Sequence, residues 1–479
     1  MTNHIYLRNF AKCSTILFCF VISIHSSFGQ SAIELLYSGV DQSELIGAND
    51  IQITDDYTSR GIRHIYGKRK INNLKIYNSY AAIHIADGKK ITAQKNLYPY
   101  IDQSNISNSL ILSGRNAVDV IASKYGKDAS DIIKLITNST DKFSIFTADD
   151  LAFGDIKVEP MFYLQDKANL KYVWSVEIDE ITSGLWKNYF IDAETGEIIK
   201  EENWTVECNF SSSVNDHSCT ESHKHVEHNE RLHRSTMMMS DSTYNVFAYP
   251  VESPNHGGRT MEEKPWLDNS IASPNGWHTI GATHFTTTKG NNVDAYLDIN
   301  SSNSPTNGDA DRADGGVDLT FDFAWDEVTP PAELPLPALT NLFYWSNVVH
   351  DVWYNYGFDE ASGNFQEENN NGQGGIGNDY VRAEAQDGAG SCNANMSTPP
   401  DGSNARMQMF LCNSRDGDLD NGVIVHEYGH GISIRLTGGP SASGCLGNEE
   451  QMGEGWSDWF GSLTELDPYG VRCYGILPG

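Results

Sequence analysis

Apolar residues along this chain change their spacing several times, and each change marks a unit. Residues 15–24, TILFCFVISI, are an apolar core behind Arg8 and Lys12. That run has signal-peptide length and is too short to span a bilayer comfortably, so residues 1–30 read as a signal peptide cut near Gly29–Ser31. Residues 63–92 alternate apolar and polar, with Leu74, Ile76, Ile83 and Ile85 followed by Asp87–Gly88, a strand and turn pattern. In 113–126 the stripe Ala117, Val118, Ile121, Ala122 follows Ser113, which predicts an N-capped helix. Residues 171–180 and 187–201 read as strands, the second holding a turn at Thr195–Gly196. Residues 31–201 therefore form an α+β unit without a catalytic constellation.

The pattern stops over 202–242, a polar stretch carrying His217, His223, His225, His228 and His233. His225 and His228 could share a helix face and a metal, but no apolar stripe supports a helix. An exposed linker is the expectation. From 243 onward short strands appear (YNVFAYP, DAYLDI, LTFDF). Residues 341–358 are apolar nearly all round and predict a buried helix. A loop of Asn, Gly and acidic residues covers 367–379, a second helix begins near Asp420, and a third is expected over 449–464.

Composition narrows the class. The chain has 479 residues, room for two or three domains, with 22 Tyr, 19 Phe and 10 Trp to fill cores. A formal charge of -31 argues against a nucleic-acid partner, and beyond the first segment nothing is apolar enough for a membrane. Outside that segment stand Cys208, Cys219, Cys392, Cys412, Cys445 and Cys473. In an exported protein they invite disulfides, with Cys208–Cys219 a local pair and three connectivities open for the other four. Asp309, Asp311 and Asp314 in NGDADRADGG could touch Ca2+, but their spacing is not that of a calcium loop, and a solvated acidic loop is expected.

The candidate chemistry lies in the second helix, at HEYGH, 426–430. Residues i and i+4 share a helix face, so His426 and His430 can direct two imidazoles at one Zn2+. Glu427 projects beside them, where a general base for a zinc-held water belongs. A catalytic zinc needs a third protein ligand. GEGWSD at 453–458 offers Glu454, and one turn later Asp458, which could accept the outer N–H of a ligand histidine. Their neighbours Trp456, Trp459 and Phe460 suggest an enclosed setting, whereas the rival acids Glu449 and Glu450 look exposed.

These residues resemble a family. HEYGHG followed by MGEGWSD is similar to the fungalysin-type (M36) zinc metallopeptidases, thermolysin-like gluzincins. NLFYWSNVVHDVWYNYGFDEASGNFQ, NDYVRAEAQDG, TPPDGSNARMQMFL and DGDLDNGVIVHEYGHGISIRLTGG follow in the family's order. Residues 63–92 resemble the FTP propeptide element, and 110–200 a PepSY-like segment. The resemblance implies an α+β protein, in which a propeptide of antiparallel sheets and helices (31–201) precedes a linker cut on activation (202–242). A thermolysin-like catalytic domain (243–479) follows. It implies a secreted, monomeric zinc endopeptidase made as a zymogen, with protein or peptide substrates and its own propeptide as intramolecular inhibitor. His426, His430 and Glu454 would be ligands and Glu427 the base. CNANM (392–396) looks like the edge strand that pairs with substrate, making Asn393 and Ala394 candidate contacts.

Two departures stand out. Gly429 occupies a position where many fungal members carry Thr. The family's helical C-terminal lobe follows the third-ligand helix, whereas this sequence stops at Gly479 after ELDPYGVRCYGILPG. The expectation is a largely missing lobe and weak or no peptidase activity for this polypeptide. Tyr469 and Tyr474 have no position that would make them oxyanion donors. The competing reading is a non-catalytic FTP/PepSY-type inhibitor or binding protein, which stoichiometric zinc would argue against. A carbohydrate-binding surface lacks the regular exposed aromatic pattern it would need.

Overall fold

The computed structural model describes residues 31–38, 51–96, 112–128, 134–138, 143–166, 169–207, 242–446 and 452–466. The signal segment, the Cys208–Cys219 pair, the histidine cluster, Glu449, Glu450, Cys473, Tyr469 and Tyr474 lie outside them. No helix among the described residues is long and apolar enough to cross a membrane.

The first half is built on a ten-stranded sheet: β1 (Ile51–Ser59), β2 (Ile62–Ile71), β3 (Leu74–Ala86), β4 (Lys89–Asn96), β5 (Lys134–Asn138), β6 (Phe143–Thr147), β7 (Ile156–Asp166), β8 (Asn169–Asp179), β9 (Trp186–Asp192) and β10 (Ile198–Asn203). All its pairings are antiparallel except β3 with β7, where Ile76 faces Phe162. The expected turn is present, with Asp87 and Gly88 both at positive φ. A second one, Asn72–Asn73 at φ 51° and 63°, went unread. Asparagine tolerates the left-handed region because its short amide can bond locally.

Positive φ at Asn78, within β3, accompanies a division of that strand between two cores. Ile76 packs with Phe162 and Leu170, whereas Ala81 and Ile83 pack with Ile65 and with Leu36 of α1 (Ala32–Ser38). Helix α2 (Gly114–Lys124) is closed by a capping box between Ser113 and Asn116. Its expected stripe of Ala117, Val118, Ile121 and Ala122 is buried in a third core with Val158 and Val176.

The second half centres on a five-stranded sheet in the order β11 (Thr205–Glu207), β14 (Ala394–Ser397), β15 (Arg406–Met409), β13 (Val381–Ala385), β12 (Val293–Leu297). The stretch expected to be linker from 202 is strand as far as Glu207, and Trp204 and Thr205 are buried. Helix α3 (Pro335–Asn355) begins before the expected 341, because a proline at the first position lacks only an N–H that has no helical partner. Its side chains from Pro337 to Tyr354 are buried, as the apolar pattern required. Helix α4 (Asn421–Gly438) starts where Asp420 accepts a hydrogen bond from the Val423 N–H, and α5 (Gly453–Leu466) packs across it.

The halves meet through polar contacts. Arg406 donates to Asp179 Oδ1 at 2.8 Å and to the Gly184 carbonyl at 2.7 Å. Ser59 donates to Asp359 at 2.8 Å, and Tyr66 donates to the Leu436 carbonyl at 3.3 Å. Cys392 and Cys412 form a disulfide, and Cys445 has no disulfide partner among the described residues, which settles part of the open connectivity.

Candidate metal centre

Helix α4 is buried on most of its circumference, and two glycines make that possible. A Cβ on Gly429 would stand 3.0 Å from Ser457 Cα, and one on Gly431 would stand 2.7 Å from the Phe365 ring. Without side chains there, α5 can lie close against one face and Phe365 against another. The close approach carries Glu454 and Asp458 to the two histidines.

His426 and His430 stand on one face with ring centroids 4.8 Å apart and planes at 81°. Glu454 Oε2 lies 3.1 Å from His426 Nε2 and 3.5 Å from His430 Nε2. Asp458 Oδ1 lies 2.8 Å from His426 Nδ1. One donor atom from each of His426, His430 and Glu454 falls within 4.8 Å of the others. With Asp458 accepting the Nδ1–H, the proton-free Nε2 of His426 is directed at the other two donors. Two imidazole nitrogens and a carboxylate oxygen that converge in this way can hold a cation, and two imidazoles with one carboxylate are a zinc donor set. Glu427, the next residue, is fully buried.

Electrostatics agree with this arrangement. Hydrogen bonding to His430 is the main cause holding the Glu454 carboxyl down at about 2, against partial burial. Burial pushes His430 below the usual imidazole range, opposed by Glu454 beside it. The first shift keeps Glu454 an anion, and burial disfavours the charged form of His430.

The enclosure expected around the acids is not found. The side chains of Glu454 and Asp458 are 49% and 74% exposed. Trp459 is also exposed, and Phe460 turns instead toward Trp353. The histidines, not an apolar wall, account for the position of the two acids. Asn393 and Ala394 lie where the expected edge strand runs, with Ala394 buried and the Asn393 carbonyl accepting the Phe410 N–H at 3.3 Å. That edge is covered by β11, which pairs Thr205 with Ser397, Val206 with Met396 and Glu207 with Asn395.

The acids of the 307–316 loop do not converge. Asp309 pairs with Arg312, Asp311 accepts from Asn307, and Asp314 accepts from Gly316. Two supporting residues were missed. Ser457 is the fully buried surface beneath Gly429, and Thr464 accepts the Trp353 indole N–H at 3.0 Å, tying α5 to α3. A small residue one turn from the ligand, facing a glycine in the motif, was the available signal for Ser457.

The family description for fungalysin metallopeptidase (M36) matches residues 243–472. An extracellular metalloproteinase of Neosartorya fischeri is 31% identical over 466 residues, covering 94% of this chain and 67% of its own. The chain belongs to the fungalysin metallopeptidases. An extracellular metalloproteinase of Aspergillus fumigatus is 32% identical over 433 residues, or 87% of this chain and 61% of the relative. Extracellular metalloproteinase 2 of Arthroderma benhamiae is 31% identical over 431 residues, 86% and 61% respectively. This fungalysin thus spans about three fifths of the length of those two relatives. Among solved structures, the Bacillus megaterium YpeB C-terminal domain aligns with 33% of the chain at 10% identity and a TM-score of 0.20, too weak a likeness to bear on the fold.

Proposed function

We propose that this fungalysin is a secreted zinc endopeptidase made as a zymogen. His426, His430 and Glu454 hold the ion, Asp458 orients His426, and Glu427 is the general base. One observation carries the reading: His426 and His430 turn Nε2 toward a single Glu454 oxygen, while Asp458 takes the opposite nitrogen of His426.

A bound zinc supplies Lewis acidity, lowering the pKa of a water in its open position to about 7 and polarising a carbonyl. The remaining work falls to side chains. Asp458 keeps the proton of His426 on Nδ1, so that Nε2 is always a donor atom. The Glu427 carboxylate, one residue after His426, accepts a proton from the attacking water and returns it to the departing amine. Burial of Glu427 excludes bulk water from that exchange.

Residues 31–201 are the inhibitory propeptide, 202–242 contains the activation cleavage, and the catalytic domain begins at about Thr243. This division is supported by the separate cores of the first half and by a family match that starts at 243. Export is supported by the apolar run at 15–24, the Cys392–Cys412 disulfide and the extracellular relatives.

The test combines metal content with turnover. Wild-type protein should hold one zinc that His426→Ala loses, and Glu427→Gln should keep the zinc while abolishing any casein hydrolysis that the wild type shows. Absence of stoichiometric zinc, or zinc that survives His426→Ala, rejects the site and favours the non-catalytic binding protein.

A further inference from the structure

We propose that Asp298, Glu384 and Asp387 form a calcium site at the carboxyl ends of the parallel strands β12 and β13, separate from the histidine centre. One oxygen from each of the three lies within 4.8 Å of the others, and all three residues are buried. Oxygens bound at 2.3–2.6 Å to one ion lie no more than about 5 Å apart, so one Ca2+ can reach all three.

The backbone converges here. Leu297 pairs with Ala385, so Asp298 and Gln386 leave adjacent strands together. The Gly388 N–H returns to the Asp298 carbonyl at 3.0 Å. The carboxylates are held in place, and although Asp298 Oδ1 accepts from both the Ser302 N–H and its hydroxyl, each carboxylate keeps an oxygen that accepts a single hydrogen bond. Tyr296 and Gln408 each donate to one oxygen of Glu384, at 2.7 and 3.0 Å. Gln408 also donates to Asp387 Oδ2 at 2.7 Å, and the Asn303 N–H donates to Asp298 Oδ2 at 2.7 Å. An oxygen accepting one hydrogen bond keeps a second lone pair for a metal.

Charge and an unmatched amide point to a bound cation. Among the described residues, Asp179, Asp298, Glu384 and Asp387 face Arg406 and Arg382 as their cationic partners, and Asp179 is in contact with both. Counted as ionised, two buried carboxylates are left over, a surplus that one divalent ion would balance. Asn303, 4% exposed, directs its amide into the cluster, with Oδ1 3.4 Å from Gln408 Nε2 and no partner for Nδ2 among the described residues. Turning that amide over gives up the long contact to Gln408, whose two N–H groups already serve Glu384 and Asp387, and presents an oxygen in place of the unmatched nitrogen. An all-oxygen set disfavours zinc, and a buried cage disfavours Mg2+, which keeps its waters.

The experiment uses Tb3+ as probe on the zinc-loaded full chain. Tyr296, its hydroxyl 2.7 Å from Glu384, should sensitise terbium emission that saturates at one equivalent and is displaced by Ca2+. Emission should persist in His426→Ala, vanish in Asp387→Asn, and fall severalfold in Tyr296→Phe while calorimetric Ca2+ binding remains. The Tyr296→Phe result decides the matter if Asp387→Asn fails to fold. Absence of Ca2+-displaceable emission in the wild type overturns the proposal. So does full emission from either Tyr296→Phe or folded Asp387→Asn.

Discussion

Asp458 shows how much one exposed side chain can fix. Its Oδ1, 2.8 Å from His426 Nδ1, determines which imidazole nitrogen faces Glu454. Asp458→Ala should therefore weaken zinc binding by about 10–100-fold without unfolding the protein, measured by competition with a chelator. The four polar residues of the centre were legible because helical periodicity alone places His426 beside His430 and Glu454 one turn from Asp458. Their exposure was not legible, since the packing around α5 depends on elements distant in sequence. A second residue-scale pair was unread. His64 and His84 face each other with 2.8 Å between their Nδ1 atoms. Burial first, and then the charge of His84, lower His64 to about 4; burial also lowers His84. The unfolded chain then binds more protons between about pH 6.5 and pH 4. Stability should be full above that window and fall as pH drops through it, seen as a declining Tm. His64→Phe should flatten the decline.

Between elements, the decisive contact is α4 against α5. Gly429→Ala gains up to about 1 kcal/mol of helix propensity, but it forces a methyl to within 3.0 Å of Ser457 Cα. Overpacking of this kind costs about 1–3 kcal/mol, so the net effect should be a lower Tm. Zinc affinity should fall with it, because the displaced helix carries Glu454; a titration of the variant checks this. The helices were readable from their stripes and caps: Ser113, Asp420 and the continuous apolar run of α3 each marked an element. The strands were less so. Asn72–Asn73 turns without the glycine that signalled Asp87–Gly88, and Asn78 divides β3 between two cores without any composition change. β11 could not be read at all, because three residues carry no period and their partner strand begins at Ala394.

At the scale of the whole molecule, Asp179 and Arg406 join the two halves across 227 positions, a pairing no local pattern could announce. Both side chains are almost wholly buried. Removing the carboxylate leaves the buried guanidinium with Glu384, 3.9 Å away, as its remaining ion partner, and loss of the close partner costs up to about 3–5 kcal/mol. Asp179→Ala should thus lower the midpoint of chemical denaturation and separate the melting of the halves into two transitions. The strand β11 sets a further condition on function. A peptide that would add to the edge of β14 competes with residues of the same chain, present there at a tethered concentration on the order of millimolar. Micromolar substrate would then find few open edges, and turnover would begin with a lag whose length reports how quickly Thr205–Glu207 is released. The delay should be independent of substrate concentration, making those three residues a clock as well as a strand.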